Sequence, residues 1–232
     1  MLLTDVLQAA PTPSDRKSLE MEVEVVDLAR KNRLKHILHE DRQMTLYDFG
    51  LVQKVPICTM LDSLDKQHPH NKRRLLEVFV TQLPDVLEEL RDNCLLYTDA
   101  KPSNVGIYGN STLKLCDLDS VVRYKNEDAI PRPRLYTRAF AAQELSEEHR
   151  KTVSIQADVQ AFARLLDEVL DRNSDDFPED IKLALKAVVS KYNVALNNRP
   201  LYNNFIHDLR DASRMIISPP SGMPQVCMPC NI

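Results

Sequence analysis

The stretch from Leu95 to Ser120 reads LLYTDAKPSNVGIYGNSTLKLCDLDS. After an apolar opening it places three different polar groups, Asp99, Lys101 and Asn104, within six residues. A carboxylate, an ammonium and an amide this close together can act on one substrate. Residues of these types, with proline, are also common in surface turns, so a polar turn ahead of a hairpin is the alternative.

The same stretch predicts a β-hairpin directly after the polar loop. Two runs of strand-forming residues, 105–108 and 112–116, flank Gly109-Asn110, a dipeptide that suits the positive φ angles of a tight turn. Asp117 follows the second run, and folding the hairpin back brings it close to Asn104. Two carboxylates, an amide and an ammonium around one point can hold a metal-bound polyphosphate and accept a proton from a hydroxyl.

These motifs resemble those of the protein kinases. The kinase catalytic loop reads His-Arg-Asp-Leu-Lys-Pro-x-Asn and the metal motif reads Asp-Phe-Gly. This chain has Tyr-Thr-Asp-Ala-Lys-Pro-Ser-Asn at 97–104 and Asp-Leu-Asp at 117–119. The resemblance implies that Asp99 is the catalytic base and that Lys101 steadies the transferred phosphate.

The resemblance also implies the cofactors, ATP and Mg²⁺, with Asn104 and Asp117 as the metal ligands. Two departures bear on this site. Thr98 replaces the loop arginine that meets an activation-loop phosphate in kinases, so switching by such phosphorylation is not expected. Asp119 replaces the glycine of the metal triplet and adds negative charge beside the metal site.

Two later segments continue the resemblance in the order found in kinases. Residues 137–144, TRAFAAQE, resemble the end of an activation segment, with Gln143 in place of the usual proline. Residues 158–170, DVQAFARLLDEVL, resemble the buried helix that follows it. By this resemblance Asp158 accepts backbone N–H bonds from the catalytic loop. A plain helix N-cap is the other explanation for an aspartate at this position.

Helical periodicity covers much of the remaining chain. Apolar residues at spacings of three or four predict helices over 14–31, 71–93, 180–192 and 201–217. Between the last two of these helices, Arg199 precedes a proline. By resemblance, this arginine forms a structural ion pair with Glu144 and takes no part in catalysis.

The helix predicted over 14–31 corresponds to the kinase helix that carries an ion-pairing glutamate. Glu22 is the best candidate for that glutamate and is therefore assigned to the cofactor site. An exposed glutamate on an amphipathic helix, flanked by Glu20 and Glu24, is an equal alternative. The alternation over 19–25 also fits a strand.

In the part of the chain before the polar loop at 97–104, the resemblance to protein kinases is weak. Short strands are predicted at 34–40, 44–49 and 54–61. The kinase Gly-rich loop and lysine strand have no counterpart, because the chain has four glycines and none precedes Gly50. Asp-Phe-Gly at 48–50 comes before the catalytic loop and is predicted to be a turn. Either the chain is a truncated product or its amino-terminal lobe is degenerate.

The predicted fold is therefore α+β and protein kinase-like. A mostly helical carboxy-terminal lobe follows a small, incomplete amino-terminal lobe that contains the strands. The predicted divisions are a lead at 1–13, a partial amino-terminal lobe at 14–64, a carboxy-terminal lobe at 65–217 and a tail at 218–232. The tail contains Cys227 and Cys230, and one such pair cannot complete a zinc site.

Composition excludes several classes of protein. A net charge of −4 argues against a general nucleic-acid binder. The sequence has no 18-residue apolar run and no basic, apolar leader, so neither a membrane span nor a secretory signal is predicted. Cys58, Cys94 and Cys116 lie in apolar contexts that predict buried thiols in a reducing compartment, which points to the cytoplasm.

Two functions from different classes follow from the resemblance. The first is a divergent protein kinase that transfers phosphate from ATP to protein hydroxyls, weakly or not at all in this chain. The second is a pseudokinase that serves as a scaffold for a protein partner. A small-molecule kinase is less favoured, because 137–144 and Arg199 resemble protein kinases specifically.

Overall fold

The computed structural model describes residues 3–9, 12–39, 43–47, 50–56, 58–109, 111–133, 135–147 and 149–217. It is an α+β structure in which helices predominate and the strands form small sheets. The α-helices are α1 Pro13–Asn32, α2 Pro69–Asp92, α3 Gln156–Arg172, α4 Glu179–Tyr192 and α5 Tyr202–Ile217. The strands are β1 Leu3–Ala9, β2 Gln43–Tyr47, β3 Gly50–Pro56, β4 Thr59–Met60, β5 Leu95–Leu96, β6 Val105–Tyr108, β7 Thr112–Leu115, β8 Val122–Arg123, β9 Ile130–Pro131 and β10 Thr152–Val153.

The five helices lie within two residues of their predicted bounds, and α1 is a helix and not a strand. Helix α3 is buried on nearly all sides, with Val159, Phe162 and Leu166 fully enclosed. Helices α3, α4 and α5 pack in series, and α5 also packs on α2. These contacts form one apolar core below the polar loop. None of these helices is both long and apolar enough to cross a membrane.

The first sheet corrects the prediction of a lead at 1–13, because part of that segment is a strand. Leu3–Ala9 form β1, and β1 pairs with β3 in antiparallel register from Leu3 opposite Pro56 to Ala9 opposite Gly50. The strand order is β1-β3-β2. The partner of β1 lies more than forty positions away in the sequence, and a local pattern of seven residues does not reveal such a pairing.

Two of the three predicted strands in this region are also wrong in part. Within 34–39, the part of 34–40 that the structure describes, only Ile37 makes a β-bridge, to Leu115. The run 54–61 divides after Pro56, where β3 ends, and β4 joins a different sheet of order β4-β6-β7. Proline donates no ladder hydrogen bond, which suits the end of a strand. The predicted 44–49 strand is β2, and Asp48 and Phe49 lie outside the described residues.

The predicted hairpin is confirmed as β6 and β7, with Val105 opposite Leu115 and Tyr108 opposite Thr112. Gly109 has φ of 58°, the left-handed conformation that the turn requires. Gly106 is needed for a different reason. A Cβ atom on it would lie 2.8 Å from both the Cβ of Cys58 and the Sδ of Met60. A larger residue would therefore push the neighbouring strand away.

The cysteines differ from the prediction of buried thiols. Cys94 is exposed, and Cys58 and Cys116 are half-buried. Cys94 also has φ of 55°. It lies at the end of α2, where the chain leaves the helix for β5, so the apolar residues that follow it do not enclose it.

Candidate functional site

The polar loop is anchored from below by Asp158. Its Oδ1 accepts hydrogen bonds from the backbone N–H groups of Tyr97, at 3.1 Å, and Thr98, at 2.8 Å, as predicted. The N-cap explanation is wrong, because α3 begins at Gln156 and Asp158 lies inside its first turn. Burial raises the pKa of Asp158 to about 7, although the two N–H groups favour its charged form. The anchor thus joins the loop to the central helix.

Asp99 is the centre of the hydrogen bonds in the loop. Its Oδ2 accepts from Lys101 Nζ at 2.8 Å and from Asn104 Nδ2 at 2.8 Å, and its Oδ1 accepts from the Thr137 N–H at 2.7 Å. Burial by itself would raise the pKa of Asp99. Hydrogen bonds from Lys101 and Thr137 outweigh that effect and hold the pKa below its ordinary value. This carboxylate is therefore ionised at neutral pH.

Asn104 links the loop to the hairpin and brings Asp117 beside it. The N–H of Cys116 donates to the Asn104 carbonyl at 2.8 Å, and the Tyr97 hydroxyl donates to the Cys116 carbonyl at 2.5 Å. Asp117 follows directly in a left-handed conformation, with φ of 49°. The side-chain nitrogen of Asn104 donates to Asp99, which leaves its Oδ1 as the side-chain atom that could bind a cation. The hairpin thus brings the backbone of Asp117 next to the residue that is hydrogen-bonded to Asn104.

A second group of carboxylates lies next to Asp117. Burial raises the pKa of Asp119 to about 7, and the nearby charges of Asp117 and Glu22 add to the effect. Glu22 is fully buried, so the interpretation of it as an exposed helix residue is wrong, whereas Glu20 and Glu24 are exposed. Glu22 is therefore a buried residue of α1 whose charge acts on Asp119.

These oxygens suit a hard divalent cation. Amide and carboxylate oxygens are the ligands of Mg²⁺, which is usually held by one or two carboxylates together with substrate phosphates. Over the described ranges, no three His, Cys, Asp or Glu side chains are arranged around a single metal position. A cation held by Asn104 and Asp117 would thus need further ligands from a nucleotide or water.

The predicted pair of Glu144 and Arg199 is present and fully buried, with side-chain exposures of 1% and 0%. The guanidinium binds both carboxylate oxygens, Nη1 to Oε1 at 2.9 Å and Nη2 to Oε2 at 3.2 Å. Gln160 Oε1 accepts a further bond at 2.7 Å, and the carbonyls of Gln156 and Val194 take the remaining donors. Every charge here has a partner, as in a structural element.

Two residues at the site were missed in the sequence analysis. Thr137 contacts Asp99 through its N–H, and its hydroxyl accepts from Lys101 Nζ at 3.0 Å. Its place at the start of the TRAFAAQE motif was the available signal. Arg132 lies beside Lys17 and Asp119 in the lining of a cavity of about 400 Å³ between α1 and the segment after β7. No local pattern singled it out.

Comparison with known proteins identifies no relative. No protein-family model matches this chain, and no curated protein is significantly similar to it in sequence. What the structure establishes is an α+β protein with an anchored polar loop and an acidic cluster beside it.

Proposed function

We propose that this chain is a divergent protein kinase domain that transfers the γ-phosphate of ATP to protein hydroxyls, with low or no turnover in the chain as it stands. The observation that carries the proposal is the set of contacts around Asp99. Lys101, Asn104 and Thr137 all bind this carboxylate, and Asp117 is placed alongside by the hairpin. Few reactions other than phosphoryl transfer use this combination of groups.

The kinase-like fold is part of the same proposal. It is supported by two long-range contacts that the resemblance implies. Asp158 binds the catalytic loop across 60 positions of sequence, and Arg199 binds Glu144 across 55. Both join segments that are distant in the chain, and an unrelated fold would have no reason to form either.

In this mechanism Asp99 orients the acceptor hydroxyl. Its lowered pKa keeps it ionised at neutral pH, so it can accept the hydrogen bond of a substrate hydroxyl and then its proton as the oxygen attacks phosphorus. Lys101, whose Nζ lies 2.8 Å from Asp99 Oδ2, would offset negative charge on the phosphoryl group in the transition state. The leaving group carries away the electron pair of the broken P–O bond.

Mg²⁺ would neutralise charge on the β- and γ-phosphates of ATP. Asn104 Oδ1 and the Asp117 carboxylate would hold it. The raised pKa of Asp119 supports the fit, because burial and the neighbouring acidic charges of Asp117 and Glu22 raise it, and a divalent cation would stabilise those charges. Glu22 would act on the nucleotide side of the same cluster.

A scaffold without catalysis is the second candidate, and one observation favours it. Asp119 occupies the position of a glycine in the kinase metal triplet and hydrogen-bonds Asp117, which ties up one of the two predicted metal ligands. In that case the arrangement around Asp99 would serve a protein partner. For either function we propose a cytoplasmic location, which the exposed Cys94 supports, because an exposed thiol persists more readily in a reducing compartment.

A radiolabelled ATP assay with generic protein acceptors tests the proposal. We expect slow autophosphorylation or substrate phosphorylation that is lost in Asp99→Asn and kept in Asp128→Asn, an exposed aspartate used as the control. Activity that survives Asp99→Asn would contradict the mechanism. Absence of transfer, together with absence of Mg·ATP binding, would leave the scaffold as the function.

A further inference from the structure

Arg132 forms hydrogen bonds to both ends of the segment 135–147, which contacts Asp99 through Thr137. Its Nη1 donates to the Glu147 carbonyl at 3.1 Å, and its Nη2 donates to the Leu145 carbonyl at 2.5 Å and to the Tyr136 hydroxyl at 3.0 Å. The Tyr136 hydroxyl in turn donates to the Leu145 carbonyl at 2.7 Å. The guanidinium lies 5.9 Å from the centre of the Tyr136 ring, within range of a cation–π contact.

This cluster lies one residue from the Asp99 contacts. Tyr136 directly precedes Thr137, whose N–H binds Asp99 Oδ1 at 2.7 Å and whose hydroxyl binds Lys101 Nζ at 3.0 Å. Fixing the Tyr136 side chain against the Leu145 carbonyl therefore fixes the backbone that presents the Thr137 N–H. Arg132 and Tyr136 thus hold the start of the segment against its end, in addition to the contacts that Asp99 and Lys101 make with Thr137.

The backbone of Arg132 is itself held in place. Its N–H donates to the Lys151 carbonyl at 3.1 Å, and the residues before it form β9, which pairs with β10. Strand β10 leads into α3, the helix whose Asp158 anchors the polar loop. Arg132, through β9 and β10, and the polar loop, through Asp158, are therefore both connected to α3.

All three acceptors of Arg132 are neutral oxygens, and none is a phosphate or a carboxylate. The loop side chain at the position that meets a segment phosphate in kinases is Thr98, which is fully buried. The segment is thus closed by groups that the unmodified chain already contains. A planar fork with several donors suits this task, and a lysine ammonium does not.

We propose that Arg132 is a positioning residue that holds residues 135–147 closed on Asp99 in the unphosphorylated chain. The proposal rests on the proposed function only in the role given to Asp99, since the closure itself is a property of the segment. It predicts a site that is set constitutively, with no phosphorylation step in the segment needed to order it.

Hydrogen–deuterium exchange of the full-length chain, confirmed as unphosphorylated by intact mass, tests the closure. Arg132→Gln and Arg132→Lys should both speed exchange in peptides covering 135–142 by about tenfold, the scale of one lost hydrogen bond to a charged group. Tyr136→Phe, which removes one hydroxyl and keeps the ring, should also speed exchange in these peptides, but by a smaller factor than the Arg132 variants do. Arg138→Gln, an exposed arginine in the same segment, is the matched control and should change nothing.

A second measurement separates positioning from general stabilisation. The pKa of Asp99, followed by carboxyl carbon NMR, should rise in Arg132→Gln because the Thr137 N–H moves away, while exchange in α3 stays unchanged. Equal acceleration in α3 would make Arg132 a general stabiliser and overturn the proposal. So would unchanged exchange in 135–142, or protection that appears only after phosphorylation. An inactive parent chain with the expected exchange pattern would count against the kinase function alone.

Discussion

Two acidic regions of this molecule, one buried and one half-buried, differ in how their charge is compensated. Glu144 faces a guanidinium that satisfies both of its oxygens and that is itself fully hydrogen-bonded. Asp119 faces Asp117 and Glu22, which are acids of the same sign, and its pKa rises to about 7. Burial of a charge is costly unless it is paired, and strongly shifted pKa values are concentrated at functional sites. The Glu144–Arg199 pair therefore stabilises the fold, and the group around Asp119 is the one that the proposed cation would neutralise.

The largest effect should come from breaking the compensated region. Arg199→Ala leaves Glu144 buried without a partner and should lower the free energy of unfolding by about 3–5 kcal/mol. Urea denaturation followed by circular dichroism measures it. Arg172→Ala is the control, because its pair with Glu168 on α3 is exposed and should cost less than about 0.5 kcal/mol. Similar losses of stability in the two variants would mean that the buried ion pair contributes no more than the exposed one.

A smaller loss of stability is expected from a change at Asp99, whose charge is neither paired with an arginine nor surrounded by other acids. It is acidic and mostly enclosed, but Lys101, Asn104 and Thr137 bind it. Asp99→Asn keeps one acceptor oxygen and turns an NH₂ group towards these donors, so it should cost about 1–2 kcal/mol at pH 7. The pKa of Asp99 is lowered in the folded chain. Its contribution is therefore present above pH 4 and lost as the pH falls through the folded pKa, and the cost of the variant should shrink at pH 3.

The opposite sign is expected at Asp119. Because its pKa is raised to about 7, the folded chain holds a proton there between about pH 4 and 7 that the unfolded chain has released. Stability from this carboxyl thus falls as the pH rises through that window. Asp119→Asn should be more stable than the parent by about 1 kcal/mol at pH 8, after allowance for solvent screening, and equal to it at pH 4.

Melting temperatures of the Asp119→Asn variant across this pH range give the measurement. Asp128→Asn removes an exposed carboxylate in the same stretch of chain and should show no such pH dependence. A destabilised Asp119→Asn at pH 8 would show that the Asp119 carboxylate makes a favourable contact, contrary to its place among like charges.

The sequence predicted much of this architecture, and the reasons for its failures are physical. Motifs with fixed spacing located Asp99 and Asn104, and the Gly109 turn then placed Asp117 beside them, because a two-stranded hairpin is a local structure. Helices were predicted to within two residues because their apolar period is local as well. By contrast, β1 depends on a strand far along the chain, which no window of local sequence contains.

The candidate site shows the same division. Asp158 and Arg199 were found only through the resemblance, since nothing near either residue in sequence indicates its partner. Arg132 was missed because its acceptors are mostly backbone carbonyls, which leave no trace in side-chain chemistry. The exposure of Cys94 was missed because the local apolar pattern does not show that the chain leaves α2 at this residue in a left-handed turn.

The smallest effect expected is the one that bears most directly on the region around Asp119. If the acids around Asp119 are available for a cation, MgCl₂ alone should stabilise the parent chain, by about 0.4 kcal/mol when free Mg²⁺ equals its dissociation constant. Asp117→Asn removes a charged ligand and should abolish this gain, whereas Asp128→Asn should keep it. Melting curves in MgCl₂ are compared with KCl at the same ionic strength, because screening of like charges also stabilises an acidic cluster. A gain that KCl reproduces, or one that survives in Asp117→Asn, would assign the effect to screening. The two acidic regions would then differ in stability alone, and the case for a cofactor at the second would fail.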